Sequence, residues 1–363
     1  MTRKIKAIVL IPIILLVVGY KDISAPRPYP FPALAAFPRM PVAAANPVTI
    51  EGAELGRYLF YDTILSRGRN MSCASCHKQA YAFSDAPNQF STGNNRVKQT
   101  RNTPALFNLA WYPALFWDGR AASIEEQALH PVSDHNEMNL LWPDAVRRVA
   151  ASPLYIQMFT QAFGNVPIDS TLIARAIGQF ERTLLSYRSK YDQLESGKAV
   201  LTKEEADGFV LVNDMTKGDC LHCHTTDADA LGTTMKYSNN GLDEIADVAK
   251  YKDKGRGGIT KNTAENGWFK IPSLRNVAIT APYMHDGRFK TLEAVLEFYS
   301  SGVKHAINVD SKMGFAHQGG NKLTKEEQKK IIAFLRTMTD AAFITDPAFS
   351  NPFAKRKSRT FAK

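Results

Sequence analysis

Cys73-Ala74-Ser75-Cys76-His77 and Cys220-Leu221-His222-Cys223-His224 are the two stretches that decide the architecture of this chain. Each has the pattern Cys-x-x-Cys-His, and together they contain all 4 cysteines of the 363 residues. Two thiols at this spacing can add to the two vinyl groups of one haem, and the adjacent imidazole then reaches its iron. The pattern therefore predicts two covalently attached haem c groups.

Two other readings of the cysteines are open. Paired Cys-x-x-Cys motifs can together bind one zinc ion, and each pair alone can be a dithiol or a disulfide. Haem attachment needs a histidine directly after each pair, whereas a zinc ribbon does not. Both pairs carry that histidine and no cysteine is left over, which favours haem.

The N-terminus indicates export. Lys4 and Lys6 precede an apolar run from Ala7 to Gly19, and its 13 residues suit a signal-peptide core but are short for a membrane span. We expect residues 1–24 to be a signal peptide or an uncleaved N-terminal anchor, and the protein to lie in the periplasm or cell envelope. Residues 25–47 hold seven prolines and are expected to form an extended linker.

The rest of the chain is long enough for two domains of ordinary size, with one haem in each. We expect an N-terminal haem domain at 48–195, a C-terminal haem domain at 196–345 and a basic tail at 346–363. The formal charge of +10 and the tail favour acidic partners, whereas a nucleic-acid partner is not expected of an exported haem protein.

The expected fold class is mainly α, with cytochrome c-like domains. Thr202 with Glu205 and Thr324 with Glu327 form capping boxes that open two helices. The second helix continues with apolar residues on one face, namely Ile331, Ile332, Phe334 and Leu335. Residues 225–270 are rich in Gly, Asn, Asp and Lys, which predicts long loops around the second haem.

An internal repeat relates the two parts of the chain. The segment from Trp117 to Glu125 matches the segment from His285 to Glu293 at an offset of 168 residues. Continuing this register pairs Pro131 with Tyr299. A tyrosine oxygen can bind haem iron, whereas a proline side chain has no donor atom. The repeat therefore predicts one haem closed by Tyr299 and the other open, although a packed aromatic residue is the alternative for Tyr299.

Further segments follow one another along the chain: Arg101-Asn102-Thr103-Pro104, Phe116-Trp117-Asp118-Gly119-Arg120, Glu125-Glu126-Gln127-Ala128, Glu137-Met138, Pro272-Ser273-Leu274-Arg275-Asn276 and Ala281-Pro282-Tyr283-Met284-His285-Asp286-Gly287. In this order they resemble the bacterial di-haem cytochrome c peroxidases and the related MauG-type enzymes, over about residues 50–340. The resemblance implies a peroxidatic N-terminal haem and a C-terminal haem that transfers electrons.

The resemblance also implies residue roles. The proximal iron ligands would be His77 and His224, and the porphyrins would be attached through Cys73, Cys76, Cys220 and Cys223. Gln127 and Glu137 match the distal pair, in which a carboxylate moves a proton between the peroxide oxygens and an amide orients the ligand. Trp117 matches the indole that relays oxidising equivalents between the haems. Without the resemblance, Gln127 and Glu137 would be surface residues and Trp117 a core residue.

A calcium site is implied in the same way. Asn102, Thr280 and Pro282 match positions that supply a calcium ion between the two domains through a side chain, backbone carbonyls and waters. Oxygen ligands of this kind suit calcium.

Two departures separate the peroxidases from the MauG-type enzymes. Many peroxidases carry a histidine that blocks the peroxidatic haem, in the loop before Arg101, but residues 84–100 contain no histidine. The peroxidases place a methionine where this chain has Tyr299, whereas the MauG-type enzymes place a tyrosine ligand there. The resemblance therefore implies an open N-terminal haem and a C-terminal haem ligated by His224 and Tyr299, with a lowered potential.

Rival iron ligands remain open. Met284 and Met313 are the alternatives for the C-terminal haem, although packing is the expected role of both. The other histidines are expected at or near the surface, namely His130, His135, His222, His305 and His317. Of these, His130 and His135 lie near the distal pair in sequence and are the alternative ligands for the N-terminal haem.

Three functions follow. The first is a MauG-like oxidoreductase that reduces hydrogen peroxide with electrons from a protein or small-molecule donor, or by oxidising a protein substrate. The second is a conventional cytochrome c peroxidase with a small donor cytochrome, and the third is a non-enzymatic electron carrier. The MauG-type enzyme that matures a tryptophan-derived quinone has a surface tryptophan where this chain reads Lys217-Gly218-Asp219, so the same protein substrate is not expected.

Overall fold

The computed structural model describes residues 25–34, 36–225 and 231–354. The expected export segment and the basic residues from Lys355 onward lie outside the described residues. None of the helices in the described part of the chain combines the length and the apolar character that crossing a bilayer requires. The described chain is mostly helical, which confirms the mainly α fold class.

The first half of the molecule, residues 48–195, is built from helices joined by long loops. Its helices are α1 (Ile50–Tyr61), α2 (Cys73–Cys76), α3 (Ile124–Ser133), α4 (Trp142–Ala150), α5 (Pro153–Phe163), α6 (Ser170–Thr183) and α7 (Lys190–Glu195). The packing centres on α6, which contacts α1, α3 and α4. Its buried face includes Ile173, Ile177 and Phe180.

The second half, residues 196–345, has fewer helices and one small sheet. Its helices are α8 (Lys203–Asn213), α9 (Arg256–Thr260), α10 (Leu292–Glu297), α11 (Lys325–Thr337) and α12 (Ala341–Thr345), and its antiparallel strands are β1 (Tyr237–Ser238) and β2 (Phe269–Lys270). Both predicted capping boxes are confirmed, at the first turns of α8 and α11. The predicted loops at 225–270 contain only these two strands, α9 and short 3₁₀ turns among the residues described.

Each half contains one pair of closely crossing helices. In the first half, α1 meets α6 at Gly56, where an added Cβ would lie 1.9 Å from the carbonyl oxygen of Ala176. In the second half, α8 meets α11 at Gly208, where an added Cβ would lie 2.0 Å from the carbonyl oxygen of Lys330. Only glycine has no side chain to place there, so both crossings depend on it.

The loops before α3 and α10 also have the same backbone geometry. Leu115 bridges Ala121 in one loop, and Tyr283 bridges Phe289 in the other, at the 168-residue offset of the sequence repeat. The left-handed residues of the two loops correspond as well: Phe116 and Met284 have φ of 67° and 72°, and Gly119 and Gly287 have φ of 71° and 63°. Local backbone structure therefore follows the sequence repeat.

Both ends of the described chain pack against the body. Near the N-terminal end, the Phe37 ring lies 5.7 Å from the ring of Trp111, whose Nε1 donates to the carbonyl oxygen of Pro38 at 3.0 Å. At the other end, Phe343 and Phe349 are buried in the core of the first half. Neither the proline content of residues 25–47 nor the basic composition of the C-terminal tail predicted these contacts.

Candidate active site

Two cavities in the structure each contain one Cys-x-x-Cys-His motif. The first cavity has a volume of about 840 Å³ and contains Cys73, Cys76 and His77 in its wall. The second cavity, of about 290 Å³, contains Cys220, Cys223 and His224. Because the two cysteine pairs lie in separate cavities, they do not form a four-cysteine zinc site.

Backbone carbonyl groups fix the proton on each motif histidine. Nδ1 of His77 lies 2.7 Å from the carbonyl oxygen of Phe83, and Nδ1 of His224 lies 2.9 Å from that of Pro272. A carbonyl only accepts, so Nδ1 carries the proton and Nε2 keeps its lone pair for a metal. Burial lowers the pKa of both imidazoles, that of His224 to about 4, which keeps them in the neutral, metal-binding form.

Burial disfavours the thiolate form of the four motif cysteines. Burial raises the pKa of Cys76 to about 11 and that of Cys220 to about 12, and it raises the pKa of Cys73 and Cys223 as well. A structural zinc site needs thiolates, and within the residues described no three His, Cys, Asp or Glu side chains are grouped to hold a metal. Neutral thiols beside a ligating imidazole in a cavity instead fit a thioether-linked haem.

Gln127 and Glu137 lie together in the wall of the first cavity. Gln127 is on α3, and Glu137 follows it in a turn closed by its own N–H donating to the carbonyl oxygen of Asp134 at 3.1 Å. Burial raises the pKa of Glu137 to about 7, with a further rise from Asp134 and an opposing effect of Arg120. This carboxyl can therefore both take up and release a proton near neutral pH.

Trp117 lies between the two cavities and contributes to the wall of both. Its side chain is 8% exposed, and its Nε1 donates to the carbonyl oxygen of Asn102 at 2.7 Å. The loop that carries it is held by the bridge between Leu115 and Ala121. An indole fixed between two cofactor cavities is well placed to pass electrons from one to the other.

Tyr299 faces the second cavity from a π-helical turn, Phe298–Gly302, that continues α10. Its hydroxyl oxygen accepts a hydrogen bond from Nδ2 of Asn240 at 3.0 Å. Burial raises the pKa of Tyr299 to about 12, and the bond from Asn240 opposes this rise. The equivalent position in the first half, Pro131, lies in the wall of the first cavity.

The rival ligands divide into two groups. Met284 and Met313 both line the second cavity, and the sulfur of Met284 lies 3.5 Å from Nδ2 of Asn240. All five histidines that were expected at or near the surface are exposed: His130, His135, His222, His305 and His317. His77 is the only histidine among the described residues that line the first cavity, so neither His130 nor His135 reaches it.

The residues matched to a calcium site lie together in the wall of the second cavity. Asn102, Thr280 and Pro282 all contribute to it. The Asn102 amide nitrogen donates to the carbonyl oxygen of Gln89 at 3.0 Å, which orients the side chain.

Three polar residues at the cavities were not predicted from the sequence. Lys270 lines both cavities, Glu181 lines the first and Asn240 lines the second. Lys270 follows Trp268 and Phe269 and precedes Ile271, and a polar residue in such an apolar stretch is a signal that could have found it. Glu181 stands among polar residues of α6 and carries no such signal. Asn240 lies in a polar loop and carries no such signal.

Comparisons with known proteins agree with this geometry. A family model described as di-haem cytochrome c peroxidase matches residues 50–200. The methylamine utilization protein MauG of Methylophilus methylotrophus is 34% identical over 306 residues, which are 84% of this chain and 87% of that protein. The cytochrome c551 peroxidase of Nitrosomonas europaea is 34% identical over 304 residues, which are 83% of this chain and 84% of that protein.

A solved structure is similar over most of the fold. The crystal structure of a MauG-like protein associated with microbial copper homeostasis has a TM-score of 0.81 and 31% sequence identity, and the match covers 89% of this chain and 99% of that chain. The motifs, the two cavities and these relatives lead to one conclusion. The chain belongs to the di-haem cytochrome c peroxidase family, whose members are oxidoreductases with two haem c groups.

Proposed function

We propose that this enzyme reduces hydrogen peroxide in the first cavity and draws electrons through the second. Haem c bound in each cavity supplies an iron that changes oxidation state. Cys73, Cys76 and His77 would hold the first haem, and Cys220, Cys223 and His224 the second. The net reaction consumes two protons and two electrons for each peroxide and yields two waters.

The observation that carries this proposal is the Gln127 and Glu137 pair in the first cavity. With a pKa of about 7, Glu137 can accept the proton of one peroxide oxygen and return it to the other, which makes water the leaving group. The Gln127 amide can orient the peroxide through a hydrogen bond. An electron carrier needs neither group, so the pair argues against that alternative.

Access to the first cavity supports the same function. The described lining of this cavity contains no histidine besides His77, and Pro131 has no donor atom. We therefore propose that no side chain of the described lining would close the first haem, so that peroxide could reach it in the oxidised protein.

We further propose that Tyr299 ligates the second iron and that Trp117 relays electrons between the cavities. Support comes from the position of the Tyr299 hydroxyl in the second cavity and from the place of Trp117 in both walls. A phenolate ligand favours the higher oxidation states of iron. The second haem would then store an oxidising equivalent, as the MauG-like function requires.

A conventional peroxidase with a small donor cytochrome is the second candidate. Met284 favours it, because its thioether lies in the second cavity and a thioether ligand would raise the potential of that haem. The 34% identity to a cytochrome c551 peroxidase favours it too. A redox protein is the expected partner in both cases, and its identity distinguishes them.

Several structural proposals accompany the function. We propose two haem domains, 48–195 and 196–345, related by an internal repeat, which the paired glycine crossings and paired loops support. We also propose a calcium ion held by Asn102, Thr280 and Pro282. Residues 1–24 would direct the protein to the periplasm or cell envelope, as a cleaved signal peptide or as an anchor.

Electron paramagnetic resonance of the oxidised holoprotein tests the proposal. We expect one high-spin haem, open in the first cavity, and one low-spin haem, with both signals falling after one equivalent of peroxide without added reductant. Replacing Tyr299→Phe should alter only the low-spin signal, and Tyr81→Phe is the control, because the Tyr81 side chain is exposed and lines neither cavity. Two low-spin haems that do not respond to peroxide would overturn the proposal.

Steady-state turnover separates the two candidates. Rapid oxidation of a reduced small cytochrome c would favour the conventional peroxidase. Slow turnover with that donor, together with a long-lived oxidised state after peroxide, would favour the MauG-like enzyme.

A further inference from the structure

Lys270 is a buried cation at the junction of the two cavities. It lies on β2, contributes to the walls of both cavities and is only 8% exposed. Its backbone N–H donates to the carbonyl oxygen of Trp117 at 2.8 Å, which fixes the start of its side chain beside the proposed electron relay. The position of this residue is thus set by the part of the fold that separates the cavities.

The ammonium group has no anionic partner within the described part of the chain. No carboxylate there lies within 4.0 Å of Nζ, and its aromatic neighbour is the ring of Tyr112, with the centroid 4.6 Å away. Burial alone lowers the pKa of Lys270 to about 8, with no opposing effect of a nearby acid. A buried charge of this kind is costly unless an anion pairs with it.

The arginines around the cavities differ from Lys270 in this respect. Arg101 pairs with Asp118 and Asp253, and Arg120 pairs with the same Asp118. Arg275, which is fully buried beside the second cavity, pairs with Asp192. The described part of the chain therefore supplies carboxylates for the arginines around the cavities and none for this lysine, which leaves it for another anion.

We propose that Lys270 binds a haem propionate at the junction of the two cavities. Each haem carries two propionates, so both haems can supply the anion. The proposal rests on family membership and on the fit of haem to the cavities, and not on the roles proposed for Tyr299 or Glu137. A positive charge beside a haem disfavours loss of an electron, so Lys270 raises the midpoint potential of the haem it pairs with.

Redox titration of the holoprotein, followed by optical spectra of each haem, tests this proposal. Replacing Lys270→Met should lower the midpoint potential of one haem and move its propionate bands in the redox-difference infrared spectrum. Lys270→Arg keeps the charge, so its midpoint potential and propionate bands should match those of the wild type. The haem whose midpoint potential shifts is the one that supplies the propionate.

Lys252→Met is the matched control, because Lys252 also lines the first cavity but is exposed. It should leave both potentials and the propionate bands unchanged. If Lys270→Met does not fold with two haems, Lys270→Gln replaces it, since that side chain is also neutral and remains polar. Wild-type potentials and infrared bands in a folded, fully haem-loaded neutral variant would overturn the proposal.

Discussion

Gly56 in the first half and Gly208 in the second have the same role, because each allows one helix of its half to cross another at backbone contact. The two halves differ in side chains that line their cavities. In the register of the sequence repeat, Phe116, Trp117 and Pro131 of the first cavity pair with Met284, His285 and Tyr299 of the second. Phe180 meets Gly56 and Phe334 meets Gly208, and the next residues, Glu181 and Leu335, line the first and the second cavity. The two halves thus have similar helix crossings and loop turns, while the groups able to donate protons, electrons or lone pairs to a cofactor differ between the cavities.

The difference between the cavities predicts which of them performs acid–base chemistry. Replacing Glu137→Gln should slow the reaction of the first haem with peroxide by about 10²- to 10⁴-fold, because an amide cannot take up the peroxide proton. In the wild type this rate should rise with pH through about 7, as the Glu137 carboxyl ionises, and the variant should lose this dependence. Stopped-flow spectra over a range of pH measure both effects.

The control for this experiment is Glu195→Gln, which changes an exposed carboxyl that lies outside the first cavity. Its rate and pH profile should match those of the wild type. An unchanged rate in the Glu137→Gln variant would remove the main chemical distinction between the cavities.

Because both helix crossings are equally close, we expect an added methyl group to destabilise the protein to a similar degree at each. Gly56→Ala and Gly208→Ala each place a Cβ about 2 Å from a backbone oxygen, so the helices must separate. Overpacking of this kind is expected to lower the free energy of unfolding by about 1–3 kcal/mol or more. Guanidinium unfolding measures it, with Gly314→Ala as the control for a glycine with no neighbour at its Cβ position. A large effect at only one crossing would contradict the comparison.

Glu181 and Leu335 are both buried, at 3% and 5% exposure, but differ in polarity. Glu181 is 3% exposed and its Oε2 has no hydrogen-bond partner, while the neighbouring Arg182 pairs with Glu125. Burial raises the pKa of Glu181 from 4.5 to about 8, Arg182 opposes this and Glu125 adds to it. The folded state therefore holds the proton over a pH range in which the unfolded state has lost it.

The free energy of unfolding therefore depends on pH. Between about pH 4.5 and pH 8 the folded state binds more protons, so stability falls as the pH rises and levels off above about 8. Glu181→Leu introduces the residue type of Leu335 and should remove this loss of stability. It should raise the free energy of unfolding by about 1–3 kcal/mol at pH 8 and by little at pH 4.5. Guanidinium unfolding at several pH values measures the difference in free energy of unfolding between variant and wild type. A difference that does not vary with pH would contradict the prediction.

The smallest effects are expected at the two capping boxes of the second half. Thr202→Ala and Thr324→Ala each remove a hydroxyl that accepts the N–H of the residue three positions later. Each should lower the free energy of unfolding by about 1 kcal/mol. The two Thr→Ser variants keep the hydroxyl and serve as controls, so a loss of stability that they share would not be due to the cap.

The parts of the structure that could be predicted were those encoded over short distances. The capping boxes at Thr202 and Thr324 need only four residues each, and the turn geometry around Trp117 and His285 is carried by one repeated motif. The two Cys-x-x-Cys-His motifs are equally local. Such features follow from the sequence because the same few residues form the interaction.

Features that depend on distant contacts could not be predicted. Asn240 meets Tyr299 only because a long loop folds back over the second cavity, 59 positions away along the chain. Whether Lys270 has a carboxylate partner among the described residues depends on every segment packed around it, and no local sequence pattern encodes that. The close helix crossing at Gly56 is likewise fixed by α6, which begins more than 100 residues later.

The buried position of Phe343 has a consequence for biosynthesis. This ring packs 5.7 Å from Phe83 and 6.2 Å from Phe107, and nearby the Tyr61 hydroxyl donates to the carbonyl oxygen of Phe349 at 2.7 Å. The part of the protein that leaves the ribosome first is therefore completed by residues that leave it last. A truncated chain that ends before Ala341 would carry both haem-attachment motifs, yet the hydrophobic cluster against which Cys73 packs would lack Phe343 and Phe349.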